Sequence, residues 1–253
     1  MMKKIVVLIV AMGFSLSLWA QSPEQLFDQA NVSYKKGDFK VALDTYKEIE
    51  SQGFAESDLY YNMGNAYYKL SEFTKAILYY ERALALDPNN KNIAYNLKMA
   101  NQYIVDKVEP LPQPMVVRVK NQIRQLFNAT QWSVIGLVFF FSFLFGLSLL
   151  FIFGNSSRVK KGGLAIAIVA FLCSIASGLA AKNQYLYETE HLHAIVTQPS
   201  VTVKGAPSDT GTELFILHEG IKVQITDSIE GWKEVRIPDG NTGWIPNNSM
   251  ERI

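Results

Sequence analysis

"SDLYYNMGNAYYKLSEFTKAILYYERALALDPNN", residues 57–90, carries the pattern from which the rest of the chain is read. Two small residues, Gly64 and Ala76, sit inside two runs of helical apolar spacing and let two helices approach closely. Tyr60, Tyr67, Phe73 and Tyr80 are large and fill the space around that contact. Pro88 stops the second helix. The pattern also recurs. "GDFKVALDTY" (37–46) aligns with "SEFTKAILYY" (71–80) at an offset of 34.

That offset is the tetratricopeptide period. Residues 57–90 resemble the tetratricopeptide repeat almost position for position: Tyr60, Gly64, Tyr67, Phe73, Ala76, Tyr80, Ala83 and Pro88 occupy signature positions, and Ser71 replaces the turn glycine. An earlier copy, 23–56, keeps Ala30, Gly37, Phe39, Ala42 and Tyr46 but lacks the closing proline. Residues 91–107 continue the pattern for one more helix, read as a cap over the exposed apolar end of a solenoid. The expectation for 21–107 is two repeats plus a capping helix.

In such an array the first helix of each repeat lines a concave groove. The inward positions are Phe27, Asn31 and Tyr34, then Tyr61, Asn62, Asn65, Tyr68 and Lys69, then Tyr95, Asn96 and Met99. Asparagines there can hydrogen-bond an extended peptide backbone, and tyrosines add apolar contact area. Some repeats of this family clamp a partner's C-terminal carboxylate. The resemblance matches the clamp's asparagines at Asn31 and Asn62, but its cationic positions hold Phe27, Asn92 and Asn96, so carboxylate capture is not expected. The alternative is that the groove residues only pack and stay solvated.

The first twenty residues have a basic start (Lys3, Lys4), an apolar run from Ile5 to Leu18, and Ala20 before polar sequence. This is the pattern of a secretory signal peptide, 1–20, cleaved after Ala20. The alternative is an uncleaved anchor. Either way the following residues are exported.

Residues 108–132 hold a proline linker, "VEPLPQP", and then a weakly amphipathic segment with Val119, Ile123, Leu126 and Phe127 interleaved by Arg118, Lys120 and Arg124. The expectation is a helix on the membrane surface, with Trp132 at headgroup level. Residues 133–153 and 162–181 carry no charge and are each long enough to cross a bilayer core. Neither span has an ionisable group to mark an ion path or proton relay, which argues against a transporter or channel. Ser142 and Gly146 in the first span, and Ala170, Ser174 and Gly178 in the second, are small residues spaced for close helix packing. The connecting loop, 154–161, carries Arg158, Lys160 and Lys161 and is expected in the cytoplasm. Arg118, Lys120 and Arg124 nearly balance it, so export of the N-terminus decides the sign. The flanking domains are expected on the periplasmic side of a bacterial inner membrane.

Residues 190–253 change to short alternating runs ("SVTVKG", "ELFIL", "IKVQITD", "WKEVRIP", "GWIP") punctuated by turn residues, the spacing of a small all-β barrel or sandwich. "VTVKGAPS", "LHEGIKVQI", "GWKEVRIPDG" and "GWIP" resemble, in order, a bacterial SH3-like domain. That resemblance implies a module for cell-wall or peptide ligands, with Trp232 and Trp244 as ligand-facing candidates. The alternative is that both tryptophans fill the core.

The 253 residues are 49% hydrophobic with net charge +1, which gives no argument for a nucleic-acid partner. The single cysteine, Cys173, allows no internal disulfide. His191 and His193 could be two metal ligands, but no cysteine or acidic cluster completes a site. No nucleophile motif, phosphate loop or dinucleotide fingerprint is present, so no cofactor, metal or catalytic function is expected.

The fold class expected is thus multidomain: an all-α tetratricopeptide solenoid, a two-helix transmembrane hairpin and a small all-β SH3-like barrel. This arrangement resembles the family of protein E of the Bacteroides-aerotolerance (Bat) operon along the whole chain. The resemblance implies an envelope scaffold whose partners are membrane proteins with von Willebrand factor A domains and a MoxR-type ATPase, in aerotolerance or envelope-stress survival. The competing reading is a cell-wall sensor whose SH3-like domain binds peptidoglycan.

Overall fold

The structure, a computed structural model, describes residues 22–108, 111, 114, 115, 119, 126–152, 157–190 and 192–253. The signal segment 1–20, Arg118, Lys120, Ile123 and Arg124 of the expected surface helix, residues 154–156 of the expected loop, and His191 lie outside the described residues. The chain divides into two compact units, Met1–Ala55 and Glu56–Ile253.

The first unit is a helical hairpin, α1 (Pro23–Lys36) and α2 (Phe39–Ser51). Helix α1 starts in a capping box: the Gln25 N–H donates to the Ser22 hydroxyl, and the Ser22 N–H donates to the Gln25 side chain. It stops at Gly37, whose φ of 90° is the left-handed conformation of a helix C-terminus. Ala30 and Ala42 are fully buried where the two helices meet, with Leu43 and Tyr46 packed beside them.

The second unit opens with α3 (Ser57–Lys69), α4 (Phe73–Leu86) and α5 (Lys91–Ala100). Helices α3 and α4 pack through Gly64, where an added Cβ would lie 2.6 Å from two ring atoms of Tyr80. The turn between them passes through Ser71 at φ 62°, one period after Gly37. Asn90 caps α5, accepting from the N–H groups of Asn92 and Ile93. The cap is shorter than the 91–107 expected. It ends at Ala100 because the following residues are drawn into long-range contacts described below.

Two helices come next, α6 (Ala129–Ile152) and α7 (Ser157–Glu190). Both are long and apolar enough to cross a membrane. A capping box starts α6: the Asn128 N–H donates to the Gln131 side chain at 3.0 Å, and the Gln131 N–H to Asn128 Oδ1 at 2.8 Å. So Ala129–Trp132, expected in a surface helix, form the first turn of α6. Residues 157–161, expected as loop, belong to α7, which places Arg158, Lys160 and Lys161 among its first five residues.

The pair is antiparallel. Gly136 faces Ser177, and Gly146 meets Ala167 and Gly163 backbone to backbone. The chain therefore enters and leaves the pair at one end.

Seven strands follow: β1 (His193–Val196), β2 (Ser200–Lys204), β3 (Glu213–His218), β4 (Lys222–Ile229), β5 (Trp232–Arg236), β6 (Thr242–Pro246) and β7 (Met250–Arg252). They form one antiparallel sheet in the order β3-β2-β6-β5-β4-β1-β7. Its core is one cluster drawn from β1 to β6, including Ala194, Val196, Val203, Leu217, Val223, Val235 and Ile245, with Met250 of β7 packed against it. Strands at the two edges share that cluster, so the sheet curls around it. The barrel expected here is corrected to an open sheet: β3 and β7 are its edges and no ladder joins them. Helix α4 takes the β7 flank instead, with Arg82 donating to the Arg252 carbonyl at 2.7 Å.

Candidate partner-binding face

The expected groove positions fall on α1, α3 and α5, and none is fully buried. In the first unit Phe27 lies against Tyr46, and the Tyr46 hydroxyl donates to Asn31 Oδ1 at 2.6 Å. Tyr34 stands edge-on to Phe39 at 5.1 Å.

The second unit repeats these relations one period on. Tyr61 lies against Tyr80, the Tyr80 hydroxyl donates to Asn65 Oδ1 at 2.8 Å, and Tyr68 stands edge-on to Phe73 at 5.4 Å. Asn65 is therefore the repeat equivalent of Asn31 in this bond. Both side-chain oxygens are engaged inside their own repeat before any peptide arrives.

Helix α5 completes the face of the second unit. The Asn96 amide donates to Asn65 Oδ1 at 2.8 Å and to the Tyr61 hydroxyl at 3.2 Å. Tyr61, Asn65 and Asn96 thus form one network. Tyr95 beside it is 64% exposed, and Lys69 is exposed at the end of α3. Asn62 and Met99 are half-buried.

Tyr103 is the residue that sequence reasoning missed. Its ring lies flat on Phe73, with centroids 3.9 Å apart and an angle of 6°, while the residue as a whole stays 56% exposed. Hydrogen bonding to Tyr103 pushes the Tyr68 phenol above its ordinary pKa. Within the helical cap expected over 91–107, no sequence pattern points Tyr103 at Phe73.

The other side of the repeat meets the sheet through α4. Glu81 pairs with Lys222 at 2.6 Å and Arg82 with Glu251 at 2.9 Å. The register places Lys222 and Glu251 on either side of Ile195, which is fully buried where β1 packs on α4. The Thr74 hydroxyl donates to Glu219 at 2.8 Å. At its far end α4 holds the start of α6, where the Asn128 amide donates to the Leu86 carbonyl at 2.7 Å and the Asn89 amide to that of Leu126.

Trp232 and Trp244 are both half-buried and both absent from the core cluster. On β5 and β6 the inward positions are Val235, Gly243 and Ile245. The alternating residues Trp232, Glu234, Trp244 and Pro246 share the opposite face, with Trp232 across from Pro246 and Trp244 between Glu234 and Lys204. This part of the outer face is away from the strands that α4 covers.

Of the expected helix-packing residues, Gly146 and Ala170 are buried in the α6–α7 pair, and the Ser174 hydroxyl donates across it to the Gly136 carbonyl at 3.1 Å. Ser142 is half-buried and donates within its own helix to Val138. Gly178 is exposed, and its place in the seam is taken by Ser177, 4% exposed. The seam runs Gly163, Ala167, Ala170, Ser174, Ser177. That alternation of four and three residues keeps to one face of a packed pair, whereas a strict four-residue stripe rotates off it. Among the described residues no three potential metal ligands converge.

A family model for the tetratricopeptide repeat matches residues 57–90. This segment is a tetratricopeptide repeat. Its signature residues are those that build the α3–α4 contact and the Tyr80–Asn65 bond. One solved structure similar to the chain is the TPR2AB-domain:pHSP90-complex of yeast Sti1, at 19% identity and a TM-score of 0.30 over 65% of this chain. The chain spans 65% of that structure's own length. No curated protein matches it.

Proposed function

We propose that the protein is a membrane-anchored scaffold that binds protein partners through the tyrosine and asparagine face of α3 and α5. The observation that carries this reading is the set of half-buried Tyr61 and Tyr68 and exposed Tyr95 and Tyr103 around the Tyr61–Asn65–Asn96 network, on α3, α5 and the segment that follows α5. Aromatic rings that are already stacked lose little freedom on binding, and they carry much of the energy of interfaces.

In this reading α6 and α7 cross the inner membrane, the repeats and the sheet lie in the periplasm after signal cleavage, and Arg158, Lys160 and Lys161 face the cytoplasm. The ion pairs between α4 and the sheet support one shared side for both domains. The sheet is an SH3-like module and the whole a BatE-like component of an aerotolerance or envelope-stress complex, with von Willebrand factor A membrane proteins as partners.

A photo-crosslinking residue at Tyr95, in membranes, tests the assignment. It is expected to capture a discrete membrane protein that Tyr61→Ala and Tyr103→Ala release. Equal capture from a crosslinker at Asp44, or none from Tyr95, contradicts it.

The outward placement of Trp232 and Trp244 favours a second reading, a cell-wall sensor that takes glycan or stem peptide on this face. Co-sedimentation of the full chain with purified cell wall, lost in the Trp232→Ala/Trp244→Ala variant, is its signature. No co-sedimentation leaves the scaffold alone.

A further inference from the structure

Residues 101–108 run from the partner face to the sheet and touch both in turn. Tyr103 covers Phe73 and stands edge-on to Tyr68 at 6.0 Å. The next residue, Ile104, fills the space over Gly220, where a side chain would collide with it and where φ is +91°. Ile77 of α4 lies beside the same glycine. Asp106 then grips β3 twice: the His218 N–H donates to its Oδ2 at 2.6 Å, and its Oδ1 meets His218 Nδ1 at 2.8 Å. Val108 packs against the core of the sheet. Adjacent or near-adjacent residues of one non-helical segment thus serve two surfaces.

The docking that this segment reinforces includes two ion pairs. Both ion pairs on α4 include a partner that is 40% or more exposed, Lys222 or Glu251. Pairs of that kind contribute little singly. The sheet is held by the apolar contact at Ile195, by these pairs and by the strap, so loss of the strap's grip removes one of its attachments.

We propose that residues 101–108 form a strap that links occupancy of the partner face at Tyr103 to docking of the sheet at Gly220 and His218. A partner that takes the Phe73 ring must lift Tyr103. Lifting it withdraws Ile104 from Gly220 and loosens Asp106 from His218. The link runs equally in reverse, since a coupling between two sites is reciprocal. What passes through the strap rests on the partner face proposed above. The strap itself is read without any partner, so either can fail alone.

Amide hydrogen exchange on the full chain in detergent micelles tests it. Tyr103→Ala is expected to raise exchange at the His218 amide roughly tenfold while α3 keeps wild-type protection. Tyr103→Phe retains the stack and is expected to match wild type. The reciprocal variant, Lys222→Glu, sets two acids together at Glu81 and is expected to raise exchange at residues 103–106. Should Tyr103→Ala also expose α3, Lys222→Glu decides, since it leaves the helices intact. Wild-type exchange at His218 in Tyr103→Ala with α3 intact, or at 103–106 in Lys222→Glu, overturns the proposal.

Discussion

The Tyr80 hydroxyl donates to Asn65 Oδ1 at 2.8 Å, and one period earlier the Tyr46 hydroxyl donates to Asn31 Oδ1 at 2.6 Å. Each tyrosine comes from the second helix of its repeat and is about 1% exposed. Each asparagine comes from the first helix, on the face read as the partner surface. The bond therefore ties the orientation of a surface amide to a core ring.

Removing Asn65 Oδ1 takes one hydrogen bond from the buried Tyr80 phenol and one from the Asn96 amide. Asn65→Ala is expected to cost about 1–3 kcal/mol, and Tyr80→Phe in the same background to recover part of it. Denaturant midpoints of the two single variants and the double variant check this. Additive losses would mean that the two groups are not coupled.

Ser71 adopts φ 62°, the region that costs an ordinary residue about 1–2 kcal/mol and glycine almost nothing. Ser71→Gly is expected to stabilise the repeat by about 1 kcal/mol, and Gly37→Ala to destabilise its own hairpin. Thermal midpoints of both variants should move in opposite directions.

Gly64 has no room for a side chain, because the Tyr80 ring is itself buried and cannot retreat. Gly64→Ala is expected to cost about 1–3 kcal/mol as an overpacked core. A change within 0.5 kcal/mol of zero would show that α3 and α4 separate more easily than their contact implies.

The α6–α7 seam separates two glycines. Gly146→Leu is expected to force the helices apart, since a Cβ there already lies 2.8 Å from the Ala167 nitrogen. Gly178→Leu points away and is expected to be tolerated. Disulfide yield between cysteines at Gly136 and Ser177, with Cys173→Ser, reads the difference.

Lys204 lies 2.8 Å from Glu213, and its hydrogen bond holds that carboxyl below the usual glutamate value. A depressed folded pKa contributes stability that is fully present above the unfolded value of about 4.3 and is lost as pH falls through the folded value. The β2–β3 edge should accordingly weaken only in acid. Lys204→Met is expected to raise the Glu213 pKa in an NMR titration; an unchanged value would show that the pair does not persist.

The repeat was legible because its determinants are local. A small residue (Ala30, Gly64), Ala42 and Ala76, and Tyr46 and Tyr80 recur at a fixed spacing, and the helices they specify are built from neighbours in sequence. The two apolar helices were legible from composition, but not which face of each meets the other. Ser177 and Gly178 are adjacent small residues, and only the 3.5-residue seam distinguishes them. The end of α5 was missed because Tyr103, Ile104 and Asp106 answer to Phe73, Gly220 and His218, the last two more than a hundred residues away. The tryptophans were ambiguous for the same reason. Which face of β5 is inward depends on its register with β4 and β6, and no single strand carries that information. Docking of the sheet on α4 left no mark at all, since Thr74, Glu81 and Arg82 read as an ordinary solvated helix face.

In the scaffold we propose, the repeat and the sheet share the far side of a membrane crossed twice by α6 and α7. Single cysteines at Asp58, Ser208 and Lys160, each in a Cys173→Ser background, test it with an impermeant thiol reagent on intact cells. For a Gram-negative host the outer membrane is first made permeable to the reagent. Positions 58 and 208 are expected to be labelled alike, and position 160 only after the inner membrane is opened. Labelling of 58 and 208 on opposite sides, or of 160 in sealed cells, would contradict it.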